Sequence, residues 1–170
     1  MFQNFWMIAV IVKLVLFGAL TYFVNKVRNS IDKADAAGIK ENFKAVEIAT
    51  YAIVLFNYGL FALKYVKSSS DGKKSSDSST TQKYCGLSYV NLALVFVLLS
   101  FVWQTKAALT IAEKNPVPVS FLADNFRLTE NLSYVLLTFN ILTSGIIFFF
   151  DKKNGDKINV SPRSRSRNQE

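Results

Sequence analysis

Four long apolar runs dominate this sequence and restrict the folds that are open to it. They cover residues 5–24, 45–66, 84–103 and 132–150, and each contains 19 to 22 residues. At a rise of about 1.5 Å per residue, each run forms a helix about as long as a bilayer's hydrocarbon core is thick. None has the polar stripe of an amphipathic soluble helix, and none alternates like a barrel strand. The sequence therefore predicts an all-α membrane protein, a bundle of four transmembrane helices.

Composition limits the chemistry that such a bundle can perform. The chain contains no histidine and one cysteine, Cys85. These counts exclude a histidine-ligated haem, a His/Cys zinc or copper site, a Ser-His-Asp triad and an internal disulfide framework. Carboxylates occur only near the ends of the predicted helices, which leaves general acid–base catalysis few candidates. We therefore expect no catalytic residue, no metal, no cofactor and no enzymatic activity.

The distribution of basic residues predicts the orientation of the bundle. Four spans bring the N-terminus, a Ser-rich loop at 67–83 and a basic tail at 151–170 to one face, and leave loops at 25–44 and 104–131 on the other. The first face carries 11 basic residues when Lys64, near the end of the second run, is included, and the second face carries 8. By the positive-inside rule, both termini are expected in the cytosol or an equivalent compartment. The loop and the tail are predicted to be flexible, because both are polar and charged.

The same polar segments bear on localisation and partners. The Ser-rich loop and the tail, which ends SPRSRSRNQE, slightly favour an endomembrane such as the endoplasmic reticulum, with the mitochondrial inner membrane as the alternative. The net charge of +8 is spread over both faces, so no nucleic-acid footprint is predicted. The expected partners are the lipid bilayer and other integral membrane proteins, in a hetero-oligomer.

A self-match at a spacing of 83 residues is the most specific signal in the chain. Residues 41–57 read ENFKAVEIATYAIVLFN, and residues 124–140 read DNFRLTENLSYVLLTFN. Six of the 17 positions are identical, where chance supplies about one. The identical pairs are Asn42/Asn125, Phe43/Phe126, Glu47/Glu130, Tyr51/Tyr134, Phe56/Phe139 and Asn57/Asn140.

The self-match predicts a tandem duplication of a two-helix hairpin. The hairpins would be residues 1–66 and 84–150, related by a pseudo-twofold axis along the membrane normal. The same spacing lays the first apolar run over the third, with Trp6 over Tyr89 and Lys13 over Phe96. Chance convergence of two similar spans is the alternative.

A helix-start motif recurs in both halves, as Asn42, Lys44 and Glu47 and then as Asn125, Arg127 and Glu130. The asparagines are expected to cap the second helix of each hairpin. The basic and acidic residues are three positions apart, so each half is expected to form an ion pair along its helix. The alternative is a pair of equivalent acidic sites that bind a cation or a partner.

A polar layer is predicted at membrane depth. Lys13, Asn57, Asn91 and Asn140 fall within about 5 Å of one depth, one on each predicted helix. A lysine at this depth costs about 2.5–3.5 kcal/mol, so Lys13 is expected to face protein or water. Three roles stay open for the layer: hydrogen bonds that join the helices, docking of Lys13 against an acid or lipid phosphate of a partner, or a substrate or ion site.

These features favour a non-catalytic integral membrane subunit or scaffold of a larger membrane complex. Little of the chain lies outside the predicted spans, and no catalytic constellation is present. A small transporter or channel made of duplicated hairpins is the alternative, although the prolines that would break its helices lie outside the spans. A lipid-modifying enzyme is the least favoured reading.

Overall fold

Four helices form the part of the chain that the structure describes. The computed structural model describes the backbone of residues 2–70, 78–115 and 117–158, and the side chains of residues 7–63, 86–115 and 117–146. The helices are α1 (Phe2–Asp32), α2 (Ala36–Ser70), α3 (Ser78–Lys114) and α4 (Val119–Ile158). The all-α prediction is therefore confirmed for these residues.

The helices contact one another in a closed ring. Helix α1 packs against α2 and α4, and α3 packs against the same two helices. The diagonal pairs do not touch within the described residues. Consecutive helices run antiparallel. The connections at 33–35 and 115–118 are too short for the chain to return to the other end of the bundle. Between α2 and α3, residues with higher numbers on one helix contact residues with lower numbers on the other.

Three of the helices are long and apolar enough to cross a membrane, as judged on the described residues. The candidate spans are Met7–Asp32, Ala36–Leu63 and Gly86–Lys114. They suggest a membrane-embedded protein. The fourth apolar run of the sequence lies within α4, but the side chains of residues 147–150 fall outside the described part. The number of spans, four, stays a prediction.

The loops predicted at 25–44 and 104–131 are mostly helical, and this part of the prediction was wrong. Helix α1 continues to Asp32 and α2 begins at Ala36, while α3 continues to Lys114 and α4 begins at Val119. The buried stripe extends past the apolar runs, with Val27, Ile31, Ile39, Phe43 and Ala108 all buried. Apart from Arg28 and Glu130, the charged residues of these two segments are exposed, so helical packing continues beyond the predicted spans.

At the other end of the bundle, the helices also run further than predicted. Helix α2 extends to Ser70, α3 begins at Ser78 and α4 extends to Ile158. Helix therefore occupies parts of the predicted loop at 67–83 and of the predicted tail at 151–170. The rest of these two segments, 71–77 and 159–170, lies outside the described residues.

The connection between α1 and α2 is a tight, fully hydrogen-bonded turn. Ala34 has a φ of 54°, in the left-handed region. Its N–H donates to the carbonyl of Ile31 at 3.0 Å, and the N–H of Asp35 donates to the carbonyl of Ser30 at 2.9 Å. This pattern is a Schellman C-cap. The Asp35 carboxylate then accepts the N–H of Gly38 at 3.0 Å, so Asp35 also serves as the N-cap of α2.

Large side chains fill the interior of the ring. Every helix contributes at least one side chain with no exposed surface, and the set is continuous enough to form one apolar cluster. Its largest fully buried members are Phe17, Leu20, Ile53, Leu98, Phe126 and Leu136. Close packing of these groups contributes van der Waals attraction between the helices.

Candidate functional site

The repeated asparagines occupy equivalent places, but they do not cap helices. Asn42 Nδ2 donates to the carbonyl of Gly38, and Asn125 Nδ2 donates to the carbonyl of Phe121, both at 2.8 Å. Each bond reaches back one turn inside a helix that began six residues earlier. The predicted capping role was therefore wrong, since α2 takes its cap from Asp35.

The repeated glutamates form ion pairs across helices rather than along them. Glu47 on α2 accepts a hydrogen bond from Lys106 on α3, and Glu130 on α4 lies 3.6 Å from Arg28 on α1. Within the described residues, neither glutamate pairs with the basic residue three positions before it. Lys44 and Arg127 are exposed, whereas the two glutamate side chains are only 15% and 17% exposed and face the neighbouring helix.

Glu47 is also the centre of a small network that the sequence did not reveal. The Tyr51 hydroxyl donates to the same carboxylate at 3.0 Å. Trp103 Nε1 donates to the Tyr51 hydroxyl at 2.9 Å and so links α3 to α2 a second time. Tyr51 and Trp103 are both exposed. Their separation of 52 residues in the sequence gave no sign of this contact.

The burial pattern of α2 coincides with that of α4 at a spacing of 83, but the patterns of α1 and α3 do not coincide at that spacing. The buried residues of α2 from Phe43 to Asn57 fall on buried residues of α4 from Phe126 to Asn140. In α1 and α3, a spacing of 83 lays buried Phe17 over exposed Ser100. A spacing of 78 instead superposes every buried position from 17 to 30 of α1 on a buried position of α3.

The sequence also matches at this shorter spacing. Arg28 falls on Lys106, so the two cross-helix ion pairs become equivalent. This match was a signal that sequence reasoning missed, because it kept one spacing for both helices. Six identities accompany it: Val12/Val90, Leu14/Leu92, Leu16/Leu94, Leu20/Leu98, Phe23/Phe101 and Val24/Val102.

The asparagines predicted to form a polar layer lie inside the bundle. Asn57, Asn91 and Asn140 are all buried. Asn91 Nδ2 donates to Asn57 Oδ1 at 2.7 Å and joins α3 to α2. Asn57 Nδ2 donates to the carbonyl of Ile53 at 2.8 Å, and Asn140 Nδ2 donates to the carbonyl of Leu136 at 2.7 Å.

Lys13 shares the inward stripe of α1. It is half-buried, one turn after buried Ala9 and one turn before buried Phe17. At the spacing of 78 its counterpart on α3 is Asn91, not Phe96 as the sequence first indicated. At spacings of 78 and 83, Lys13 corresponds to Asn91 and Asn57 corresponds to Asn140, and a single layer of all four stays a prediction.

The described side chains of the site offer hydrogen bonding and charge pairing. Among the described residues, no group of three or more His, Cys, Asp or Glu side chains lies close enough to hold a metal ion. Comparison of the chain with protein-family models, with curated proteins and with solved structures found no match.

Proposed function

We propose that this chain is a non-catalytic integral membrane subunit or scaffold that assembles with other integral membrane proteins. The observation that carries the proposal is the filled interior of the helix ring. Phe17, Leu20, Ile53, Leu98 and Leu136 have no exposed surface and occupy the space between the helices. A transport pathway through one copy of the chain would require water or substrate to pass this packed core.

The outer faces of the helices support assembly within a bilayer. Large apolar side chains are exposed on every helix, including Val15, Leu55, Val97 and Leu142. Such faces contact lipid tails or pack against the helices of another membrane protein. Lys13 lies on the inward stripe, so partner contacts are expected on these apolar faces and not at Lys13.

The proposal includes a tandem duplication as the origin of the bundle. Equivalent burial at spacings of 78 and 83, and equivalent glutamate ion pairs, support it. The two spacings differ by five residues, so the second hairpin has five more residues between the aligned parts of its two helices, where α3 continues to Lys114.

The Ser-rich loop and the Arg/Ser-rich tail support an endomembrane location, which we also propose. The mitochondrial inner membrane is the alternative.

Native purification tests the subunit proposal. The full chain is extracted from its own membranes in mild detergent, and the molecular mass and composition of the particle are determined. A fixed stoichiometry with other integral membrane chains is expected. Tryptophan is then placed at Val15, Leu55, Val97 or Leu142, one variant for each helix. At least one variant should lose the partner and stay folded, while a particle that contains this chain alone would contradict the proposal.

A small transporter or channel is the second candidate, and the buried polar layer is the observation that favours it. Amide groups at membrane depth are uncommon inside apolar bundles and often mark a substrate or ion pathway. Purified chain in sealed liposomes distinguishes the two functions. The subunit proposal expects no ion flux above that of empty liposomes, whereas flux that Asn140→Leu abolishes would favour a channel.

A further inference from the structure

The polar layer contains two buried acceptors without a hydrogen-bond partner among the described protein atoms. They are Oδ1 of Asn91 and Oδ1 of Asn140. The two residues are 3% and 0% exposed, so bulk water does not reach them. An unsatisfied buried carbonyl is costly, which indicates that these oxygens accept from a donor outside the described protein atoms.

The amide groups are held in this orientation by their other atoms. Asn91 Nδ2 donates to Asn57 Oδ1, and Asn140 Nδ2 donates to the carbonyl of Leu136. Rotating either amide by 180° would bring its oxygen against another oxygen and lose the bond. Both oxygens therefore require a hydrogen-bond donor.

The register of the helices brings Lys13 to the same layer. Asn91 precedes Lys106 by 15 residues on α3, and Asn57 follows Glu47 by 10 on α2. Asn91 and Asn57 meet at 2.7 Å.

The same spacings hold in the other pair of helices. Lys13 precedes Arg28 by 15 residues on α1, and Asn140 follows Glu130 by 10 on α4. The register therefore places Lys13 and Asn140 at corresponding heights on α1 and α4.

We propose that Lys13, Asn91 and Asn140 form a hydrated site inside the bundle. One or more water molecules, held by the Lys13 ammonium, donate hydrogen bonds to the two asparagine oxygens. A buried water commonly makes about three such bonds to groups that are otherwise unsatisfied. The fixed positive charge of Lys13 selects neutral water over a metal cation. Hydration also lets the lysine keep its charge at membrane depth.

Side-chain amide NMR on the wild-type chain in detergent micelles tests the site without any substitution. We expect cross-relaxation between long-lived water and the Nδ2 hydrogens of Asn91 and Asn140. Single Asn→Leu variants assign the two signals. The absence of water cross-peaks at both amides would overturn the proposal.

A double-mutant cycle in the same micelles tests the link to Lys13. When Lys13 is present, Asn140→Leu should lower the folding equilibrium constant (folded over unfolded protein) about tenfold, because the ammonium loses its hydrated partner. In the Lys13→Met background the same change should cost less than about threefold. Asn25→Leu, at an exposed position on α1, serves as the matched control and should show no coupling. Effects of Lys13→Met and Asn140→Leu that multiply independently, to within about twofold, would overturn the proposal.

Discussion

Lys106 donates a hydrogen bond to Glu47 across the boundary between α3 and α2. The pair of Arg28 and Glu130 repeats this relationship between α1 and α4. In both cases the second helix of one half is joined to the first helix of the other half. The sequence suggested that these glutamates belong to helix starts, but each one forms an ion pair that joins two neighbouring helices of the ring.

The two glutamates are expected to differ in their contribution to stability. Glu47 accepts hydrogen bonds from Lys106 and Tyr51, whereas Glu130 has the longer contact with Arg28. Glu47→Gln should lower the free energy of unfolding by about 1 kcal/mol, and Glu130→Gln by a few tenths. Reversible unfolding of both variants in micelles measures the difference. An equal loss for both would contradict the expected difference between the two ion pairs.

Ala34 holds a backbone conformation that suits glycine better. Its φ of 54° costs an alanine about 1–2 kcal/mol, and glycine avoids most of that cost. After allowance for the greater freedom of glycine in the unfolded chain, Ala34→Gly should raise the free energy of unfolding by about 0.5–1 kcal/mol. Ala107→Gly is the matched control, because Ala107 is exposed within α3. It should lower stability by about 1 kcal/mol, and a loss in both variants would exclude the turn described here.

The Asp35 carboxylate should stabilise the start of α2. Asp35→Ala removes the acceptor of the Gly38 N–H and should cost about 1 kcal/mol in thermal unfolding. Asp124→Ala removes an exposed carboxylate well inside α4 and should change stability by less than about 0.5 kcal/mol. Equal effects of the two substitutions would show that Asp35 is not a cap.

The contact between Thr105 and Thr129 should be replaceable by two valines. Their hydroxyls lie 3.1 Å apart in the core between α3 and α4. The positions equivalent to them in α1 and α2 hold Val27 and Val46, which are also buried. Exchanging both threonines for valine keeps the shape and should leave stability within about 1 kcal/mol of the wild type.

The single exchange Thr105→Val should be less stable than the double exchange. It leaves the Thr129 hydroxyl in the core without its partner from α3. Chemical unfolding compares the double exchange with both single exchanges, Thr105→Val and Thr129→Val. A double variant that loses the sum of two independent costs would show that α1 and α2 are not a template for α3 and α4.

The sequence predicted the helices and the three buried asparagines, because a membrane requires long apolar helices and makes polar residues within them face other helices. Apolar length indicates a span, and a polar residue within a span is expected to face other helices, as Asn57 and Asn91 do. The ends of the helices were not predicted. Charged residues at 25–44 resembled a loop, but they cover only the outer face of helices whose inner face, including Val27 and Phe43, stays apolar and buried.

The side-chain contacts between helices could not be predicted from the sequence, for a different reason. The i, i+3 spacing made Lys44 the natural partner of Glu47, and only the rotation of α2 against α3 brings Lys106 there instead. A local pair on an exposed helix surface contributes a few tenths of a kcal/mol at most, so packing of the buried stripes decides which pairs form.

The most direct test of the account is the sidedness of single cysteines in sealed vesicles, in a Cys85→Ser background. The account of a membrane bundle with four spans places the connections at Asp35 and Asn115 on one face and both Ser76 and Ser166 on the other. An impermeant maleimide should therefore label Asp35→Cys and Asn115→Cys from one side only. Ser76→Cys and Ser166→Cys should react from the opposite side only. Reaction of Ser76→Cys and Ser166→Cys from different sides, or of all four variants from one side, would contradict the account.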